Sequence, residues 1–419
     1  MTSTGANEKQ ESKNPRSLRA FRHRNFRILF GANLVSNIGT WAQRVAQDWL
    51  VVTDLHKSGT VLGLVTGLQF LPSLFLSLYS GSLADRYNKR TLLFMTNIGG
   101  GLTAAILGTL VITNRVNLLE VYLLAFALGV FSALDAPVRQ AFTSEVVGKS
   151  DIGNAISLNS ANFNAGRMIG PAISGLLIKA FHTGPSFLLN AASFAGVIIA
   201  LAFMRKSELA IPDVPDEKPR IADAFRYVRT RPDIIAVMIT IFFAATFGLN
   251  FQIFNALMAV QIFHKDAGQY GALGSILAIG SLSAAIISAR LDKRRNPGFI
   301  MKFAMIFGCV EAILAVMPHY GFYAAFLPIC GLFALTTMIS ANTFVQTTVP
   351  AHLRGRVMGL YLLIFMGGTP FGAPLVGWLA DVIGVRQSVA ACGLITLLAA
   401  AVIYFSARRR LAEFSAASR

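Results

Sequence analysis

A stripe of polar side chains runs along one face of an otherwise apolar segment near the start of the chain. Its members recur at helical spacing, and they are Asn33, Asn37, Thr40, Arg44 and Asp48. Arg44 and Asp48 lie four positions apart, so their charges can pair on one helix. An adjacent arginine favours a charged carboxylate and burial favours a neutral one, so Asp48 can carry a proton only if its contact with Arg44 breaks in one state. A purely structural ion pair is the alternative.

A second arginine lies in the middle of another apolar segment. Arg167 follows Asn159 and Asn164 and precedes the Gly170-Pro171 pair. A charged side chain at the bilayer centre costs about 2.5–3.5 kcal/mol even on insertion scales, so Arg167 should face an internal cavity or a partner helix. We predict that it binds substrate or an anion, with a buried tie between helices as the alternative. The amides that we assign to a substrate cavity are Asn33, Asn37, Asn159, Asn164, Asn250 and Asn342.

The elements that must position these side chains are membrane helices. Of the 419 residues, 54% are hydrophobic and 14% are charged, whereas about 25% charged residues is normal in soluble domains. Apolar runs of about 20 residues, long enough to cross a bilayer, recur along the whole chain, six on each side of a polar interval at 205–231. The runs are 26–50, 60–80, 91–113, 118–142, 154–181, 185–204, 232–263, 268–289, 299–317, 322–348, 356–380 and 386–406.

We therefore predict an all-α membrane protein with twelve transmembrane helices in two pseudo-symmetric six-helix bundles. The bundles are residues 26–204 and 232–407, and a cytoplasmic linker at 205–231 joins them. Residues 1–25 and 408–419 are predicted to be cytoplasmic tails, the first of them basic.

The distribution of basic residues indicates the orientation. The formal net charge is +17, with 37 Lys and Arg residues in total, a value that would also suit a nucleic-acid-binding protein. Thirty of them flank one side of the predicted helices, five lie on the other side and two lie within helices. By the positive-inside rule this distribution places both termini in the cytoplasm. We therefore predict a multi-pass protein of the cell (inner) membrane that binds the lipid bilayer and no nucleic acid. The basic residues assigned to the other side are Lys57, Arg115, Lys179, Lys265 and Arg386.

A glycine and proline motif occurs in both halves of the chain. The segment from Gly166 through Gly170 and Pro171 to Gly175 is matched by the segment from Gly368 to Gly377. Glycines at this spacing permit close helix approach and proline permits a kink, so we predict a helix-packing motif. An internal repeat of this kind is typical of transporters built from two related bundles.

A short charged turn separates the second and third apolar runs. It contains Gly81, Asp85, Arg86 and Arg90. The sequence Gly81-Ser-Leu-Ala-Asp-Arg-Tyr-Asn-Lys-Arg90 resembles the loop between helices 2 and 3 of the major facilitator superfamily, although Asn88 stands where that family usually has glycine.

The resemblance implies a gate and conformational switch formed by Gly81, Asp85, Arg86 and Arg90, and we add Asp135 and Arg139 from the end of helix 4. Asp135 and Arg139 are four apart in the favourable acid-first order. A further pattern runs through Glu145, Asn154-Ala-Ile156, Leu158-Asn159-Ser160 and Phe163-Asn164 to Pro350-x-x-x-Arg354-Gly355-Arg356 before helix 11. It resembles the motifs of the enterobactin-exporter and macrolide-efflux branch. That resemblance implies secondary active transport, with proton-coupled export of small amphipathic molecules by alternating access.

Other functions remain open at this stage. A dedicated siderophore exporter or a lysophospholipid carrier is the alternative within the transporter class. A non-transporting receptor or scaffold is the alternative outside it, but such a protein would be expected to carry a sizeable extramembrane domain, and the longest loop is the linker at 205–231.

Enzymatic chemistry is not indicated. The three cysteines lie singly in apolar runs and the six histidines fall in loops or at helix ends, a pattern without metal-ligand or nucleophile spacing. We predict no metal, no cofactor and a monomeric protein that binds a small-molecule substrate and protons. Glu311, in the ninth apolar run, is left without an assigned role.

Overall fold

The computed structural model describes residues 16–210, 221–290 and 296–417. Regular secondary structure within these ranges is helical throughout, so the predicted all-helical membrane fold is confirmed. The helices of the N-terminal half are α1 (Arg24–Trp49), α2 (Gly59–Arg86), α3 (Lys89–Ile112), α4 (Leu118–Phe181) and α5 (Gly184–Phe203). A short 3-10 helix, Arg16–Arg22, precedes α1.

The next helices begin inside the predicted linker at 205–231, where α6 lies, and continue through the C-terminal half. They are α6 (Ile221–Arg229), α7 (Pro232–Phe243), α8 (Phe251–Leu257), α9 (Ala267–Arg290), α10 (Pro297–Ala315), α11 (Tyr320–Thr348), α12 (Ala351–Gly367), α13 (Thr369–Ile383) and α14 (Val385–Ala417). The predicted seventh membrane helix consists of α7 and α8 with two π-helical turns, at Ala244–Gly248 and Met258–Ile262. The predicted eleventh is divided at Gly368 into α12 and α13.

Ten helices within the described ranges are long and apolar enough to cross a membrane, and two features account for the difference from twelve. Helix α1 is not among the ten, because its polar stripe lowers its mean hydropathy. The segment α4 covers 64 residues and consists of two helices that meet at a kink at Gly148, each of which contains one predicted span. Gly148 has a φ of +70°, a conformation that glycine adopts without steric cost. The chain reverses there, since the Asn159 amide donates a hydrogen bond of 3.4 Å to Thr143.

Side-chain caps fix the ends of several helices. Asn117 and Glu120 form a capping box at the start of α4, in which each side chain accepts a hydrogen bond from the other residue's backbone N–H, at 3.1 and 2.8 Å. Asn88 caps α3 by accepting from the Thr91 N–H at 3.1 Å. Its backbone is extended, with a φ of −62°. Asn88 therefore serves as an N-cap, a role that asparagine fills well and glycine less well.

Each half forms its own helical bundle. In the N-terminal half α1 packs against α4 and α5, and α3 packs against the same two helices. In the C-terminal half α10 packs against α14 and α11, while α11 packs against α9. Large apolar side chains such as Phe75, Leu176 and Val402 are exposed on the outside of the bundles, where a bilayer would cover them.

The bundle has two ends, which we name by their contents. The terminal face contains the 3-10 helix and the linker ends: Asn25 bonds the backbone of Arg205, and the N–H of Ala210 donates to the carbonyl of Glu145 at 2.7 Å. The distal face contains the turns at 55–58, 113–117, 182–183 and 263–266. The two halves contact each other mainly through α2 with α13 and α4 with α9.

Candidate functional site

A cavity of about 300 Å³ lies between the two halves. Both halves contribute to its wall, through α1, α2 and α4 on one side and α8, α9, α11 and α12 on the other. Its lining includes Trp41, Arg44, Phe70 and Arg167 from the N-terminal half, and Leu249, Asn250, Phe251, Tyr270, Leu277, Met338 and Phe365 from the C-terminal half. The predicted cavity residues Arg167 and Asn250 therefore lie in one cavity, and Arg44 joins them.

The two arginines surround one indole ring. The Arg44 guanidinium lies 4.8 Å from the Trp41 ring centroid and 5.3 Å from that of Phe70. The Arg167 guanidinium lies 5.7 Å from the Trp41 ring. Contact with aromatic faces stabilises a partly desolvated guanidinium by about 0.5–2 kcal/mol, which is less than an ion pair with good geometry provides.

Asp48 lies at the contact between the halves. Its side chain is buried, and one carboxylate oxygen accepts a hydrogen bond of 2.7 Å from the Tyr270 hydroxyl on α9. The Tyr270 ring also stacks on Trp49, with 6.2 Å between centroids. No Arg44 nitrogen lies within ion-pair distance of Asp48, although the two charges are near enough to interact.

Asp135 and Arg139 form a second polar cluster, inside the N-terminal half. Arg139 donates to both carboxylate oxygens of Asp135, at 2.7 and 3.0 Å, and to the amide oxygen of Asn33. Thr96 and Asn97 of α3 also donate to Asp135, at 2.7 and 3.0 Å. The cluster ties α1, α3 and α4 together, so a proton or a charge change at Asp135 would be felt by three helices.

The remaining predicted gate residues are partly described. Arg90 donates to the carbonyl oxygen of Ala202 at 3.1 Å, and Arg86 is exposed. Gly81 and Asp85 belong to α2, but their surroundings lie outside the described part of the molecule. The predicted gate role of Gly81 and Asp85 therefore stays a prediction.

Most of the predicted cavity amides are used in hydrogen bonds elsewhere. Asn37 donates to Asn162 at 3.0 Å, Asn164 donates to the carbonyl oxygen of Ser160 at 2.9 Å, and Asn342 accepts from Gln346 at 2.8 Å. Asn159 donates to Thr143 and Asn33 accepts from Arg139, as given above. The bonds of Asn33, Asn37 and Asn159 join separate helical segments, whereas those of Asn164 and Asn342 lie within one helix. None of the five side chains lines the cavity between the halves.

The predicted helix-packing motif of α4 contacts two different partners. A Cβ at Gly166 would lie 2.7 Å from the Asn37 Cβ, and one at Gly170 would lie 2.6 Å from the Trp41 Cβ, so both glycines pack against α1. A Cβ at Gly175 would lie 2.7 Å from the carbonyl oxygen of Ala267 in α9. The end of the motif therefore belongs to the interface between the halves.

Helices α2 and α13 form the other close contact between the halves. A Cβ at Gly63 would lie 2.2 Å from the carbonyl oxygen of Ala373, and one at Gly377 would lie 2.0 Å from that of Gly59. Asp381, at the end of α13, accepts hydrogen bonds of 2.8 Å from the backbone N–H groups of Gly59 and Thr60. A carboxylate at a helix N-terminus is stabilised by unpaired N–H groups and by the helix dipole.

The contacts between the halves close the distal side of the cavity. Besides the Asp48 and Asp381 hydrogen bonds, Lys179 of α4 forms an ion pair of 3.0 Å with Asp266 before α9. The pKa of the Asp266 carboxyl is lowered, first by a hydrogen bond from the Gln269 N–H and then by Lys179. All of these hydrogen bonds and ion pairs between the two halves lie toward the distal face.

Sequence reasoning missed several of these residues. Trp41 could have been found from its position three residues before Arg44, on the same helical face. Asp381 ends Gly377-Trp-Leu-Ala-Asp381, which repeats the Gly-x-Leu-Ala-Asp pattern of Gly81 to Asp85. Tyr270 gives no such signal, because a single tyrosine in an apolar helix resembles any core aromatic residue.

Glu311 of α10 is fully buried within the C-terminal half. Neither of its carboxylate oxygens has a hydrogen-bond partner among the described residues. Gly248, in the first π-helical turn after α7, approaches it: a Cβ there would lie 3.0 Å from one oxygen. Groups of three or more potential metal ligands are absent from the described ranges.

A family model for transmembrane secretion effectors matches residues 16–419. The chain belongs to this family of major facilitator superfamily transporters. As a transmembrane secretion effector it is a multi-pass membrane transporter and not an enzyme.

Relatives of this transmembrane secretion effector match it over most of their length. It is 25% identical over 392 residues to the staphyloferrin A transporter of Staphylococcus aureus, and the alignment covers 91% of this chain and 96% of that transporter. It is 27% identical over 401 residues to the multidrug efflux pump Tap of Mycolicibacterium fortuitum, covering 91% and 95%. Identity to the enterobactin exporter EntS of Salmonella typhimurium is 24% over 363 residues, covering 85% and 86%.

Solved structures show the same fold. A bacterial homologue of the human lysosomal transporter Spinster, in an inward-facing and unoccupied conformation, gives a TM-score of 0.73 at 15% identity and covers 92% of this chain and 97% of its own. The nucleoside transporter NupG gives a TM-score of 0.71 at 12% identity, with coverage of 91% and 98%.

Proposed function

We propose that this transmembrane secretion effector exports small amphipathic molecules in exchange for protons, by alternating access. The observation that carries the proposal is the cavity of about 300 Å³ whose wall is shared by the two halves. A binding site built from both halves is exposed to one side or the other when the halves rock against each other. The closed distal side is then one of two states.

Export as the direction of transport rests on the relatives. The family description is a secretion effector, and the named relatives include an efflux pump and an enterobactin exporter. Their similarity extends over nearly the whole chain, so the proposal concerns the entire transporter. We place the protein in the inner membrane as a monomer, with the terminal face and both termini in the cytoplasm, as the positive-inside rule requires.

Asp48 is the residue that we assign to proton coupling, with Arg44 as its neighbour. The carboxylate is held by Tyr270 of the other half. Opening of the distal face would separate α1 from α9, remove this hydrogen bond and admit water to Asp48. A carboxylate whose surroundings differ between the two states binds protons with different affinity in each, which is the requirement for coupling.

The test is transport by the purified full-length protein in liposomes with an imposed pH gradient. Fluorescent dyes, macrolides and iron-free siderophores are supplied one at a time, with protein-free liposomes as the control. We expect at least one compound to accumulate against its gradient and to be released when a protonophore collapses the pH difference. Flux that does not depend on the pH gradient would contradict proton coupling. The absence of flux for all three classes of compound would contradict export.

Dedicated siderophore export is the second candidate, and the named relatives favour it. Two of them, the staphyloferrin A transporter and the enterobactin exporter, are named after siderophores. In the same liposomes a dedicated exporter would move one siderophore and none of the dyes or macrolides. A multidrug exporter would move members of several classes.

A further inference from the structure

Two guanidinium groups share the cavity between the halves without a counter-charge bound to either. Arg44 and Arg167 both line it, and both lie beside the Trp41 ring, at 4.8 and 5.7 Å. The two charges are near enough to repel each other. Neither arginine has a hydrogen bond or an ion pair with another described residue, and the Arg44 Nε is buried without a partner. A buried cation without a partner is costly, so this arrangement needs a reason.

The charge of the site is positive whatever the state of Asp48. Among the described residues, Asp48 is the only acidic one that interacts with Arg44 or Arg167, and its carboxylate oxygen accepts a hydrogen bond from the Tyr270 hydroxyl. One negative charge at most therefore faces two positive charges. The described residues that line the cavity include no aspartate or glutamate. An anion that enters the cavity would remove the repulsion between Arg44 and Arg167 and supply an acceptor to the Arg44 Nε.

Polarity is divided between the two walls. The cations and Trp41 belong to the N-terminal half, whereas the C-terminal half contributes an apolar surface that includes Leu249, Phe251, Leu277, Met338 and Phe365. Asn250 lies in that wall, but its amide N–H donates to the carbonyl oxygens of Thr246 and Phe247, at 2.8 and 3.1 Å. A ligand that suits both walls has an acidic group at one end and an apolar body at the other.

We infer that the cavity binds an amphipathic organic acid, with its carboxylate or similar acidic group between Arg44 and Arg167 and its flat apolar body along Trp41 and the C-terminal wall. Arginine suits this role because its fixed fork of donors matches a carboxylate in bidentate fashion. The inference specifies the substrate class of the proposed exporter and rests on that function for transport, while binding itself can be tested separately.

The test is binding to the purified full-length protein, measured by isothermal titration calorimetry. The probes are three aromatic acids of increasing size, benzoate, 2-naphthoate and 9-anthracenecarboxylate, each compared with its neutral amide. The amide has nearly the same shape and lacks only the charge. We expect at least one acid to bind about 30-fold or more tightly than its amide, since loss of one member of a buried charge pair has an effect of this order.

Variants test whether Arg44 and Arg167 are responsible for tighter binding of the acid. Arg44→Gln and Arg167→Gln should each reduce the acid's advantage over the amide, and the double variant should bind both compounds equally. Arg167→Lys keeps the positive charge and should retain part of the preference. Arg115→Gln removes an exposed arginine on the distal face and should bind as the wild type does. Each variant's melting temperature is measured, and Arg167→Lys with Arg115→Gln keep the comparison valid if a Gln variant misfolds.

The outcomes separate this inference from the proposed function. Equal binding of acids and amides, no binding of any acid, or an acid preference that survives in the double variant overturns the anion site. Liposome transport of neutral or cationic compounds without acids also overturns it, and leaves the exporter intact. Acid binding that requires both arginines, without transport in liposomes, sustains the site and contradicts the exporter.

Discussion

Asp48 and Tyr270 are 222 positions apart in the chain, yet the Tyr270 hydroxyl donates a hydrogen bond of 2.7 Å to the Asp48 carboxylate. The bond joins the two halves of the molecule through a single titratable group. Asp48 is buried, so in the proposed mechanism its carboxylate meets water only when the halves separate. Under that proposal, proton coupling and opening depend on the same contact.

Asp48→Asn tests this coupling directly. An asparagine keeps an oxygen that can accept from Tyr270, so the closed distal face should be preserved, but the side chain no longer ionises. We expect pH-driven accumulation in liposomes to fall to the level of protein-free controls, while downhill exchange of substrate continues. Full pH-driven transport by Asp48→Asn would make Asp48 a structural residue, and Asp135 would be the next carboxylate to test.

Asp266→Asn is the matched control, since Asp266 is also an acidic residue at the contact between the halves. Its pKa lies below its ordinary value of 3.8, because the Gln269 N–H and Lys179 favour the charged form. A lowered pKa means that the contact's contribution is complete above the unfolded pKa and is lost only as the pH falls through the lowered value. Asp266 therefore stays charged at neutral and mildly acidic pH, and Asp266→Asn should keep the shape of the wild-type pH profile. A profile altered as in Asp48→Asn would show that the effect is not specific to Asp48.

Single residues were predictable where they violate the rules of a membrane helix. Arg44, Asp48 and Arg167 could be identified because a charge in an apolar segment must face a partner or a cavity. The partner itself was not predictable. Nothing in the sequence around Tyr270 indicates that it reaches a carboxylate on another bundle, and Trp41 resembles the many aromatic residues that only fill space.

At the scale of elements, the distal closure depends on backbones that touch. Gly63 and Gly377 place α2 and α13 so close together that a side chain at either position would overlap a carbonyl oxygen. Carbonyl groups within helices cannot move aside as a flexible side chain can. The interface is therefore intolerant of added volume, and a larger residue should force the two helices apart.

Gly63→Val should shift the protein toward a state with an open distal face. Overpacking costs about 1–3 kcal/mol, which corresponds to roughly a 5- to 150-fold change in the ratio of closed to open states. Spin labels at Arg115 and Phe322, exposed toward the distal face on opposite halves, should report a longer distance. Gly196→Val is the control, because nothing lies within 4 Å of a Cβ at that glycine. An unchanged distance in Gly63→Val would mean that this contact does not hold the distal face closed.

Asp381→Ala tests the hydrogen bonds at the end of α13. The substitution leaves the N–H groups of Gly59 and Thr60 without their acceptor, and loss of a helix N-cap costs about 0.5–2 kcal/mol. We expect the same spin labels to show a smaller shift toward the open state than Gly63→Val gives. A label distance equal to that of the wild type would assign Asp381 to the local stability of α2 alone.

The sequence predicts that the elements are membrane helices, but it does not predict which helices pack against each other. The motif from Gly166 to Gly175 predicts close helix packing. The sequence does not indicate that Gly166 and Gly170 pack on α1 while Gly175 packs on α9. Gly63 was not identified, because glycine is common in membrane helices and its meaning depends on which helix crosses it. The π-helical turns after α7 and α8 likewise follow from packing that no local pattern encodes.

At the scale of the whole molecule, the orientation of the two faces is open to direct measurement. We expect cysteines introduced at Lys57 and Arg115, both exposed on the distal face, to react with an impermeant maleimide added to intact cells. A cysteine at Ser150, exposed toward the terminal face, should react only after the cells are broken. The native cysteines Cys309, Cys330 and Cys392 are first replaced by serine, and this parent should give no signal. Reversed labelling at the two faces would contradict the assignment of the terminal face to the cytoplasm.

Hydropathy and the distribution of basic residues were sufficient to predict a helical membrane protein in two halves. The number of membrane helices was harder to compare, because α1 is less apolar than the other spans and the two helices of α4 meet at Gly148 without a separating loop. How the halves contact each other could not be read from the sequence, since that depends on shape at α2 with α13 and at α4 with α9. The cavity results from those contacts, so its lining could not be predicted from the sequence either.

The pair formed by Arg44 and Arg167 has a consequence for the energy that drives transport. If the cargo is an anion, each molecule that leaves the cell moves in the direction favoured by a membrane voltage that is negative inside. The gain is about 2.3 kcal/mol per elementary charge for every 100 mV. A proton that enters in exchange adds a second charge movement of the same sign. Efflux should therefore respond to voltage as well as to pH, and a potassium diffusion potential in liposomes should accelerate it even without a pH gradient.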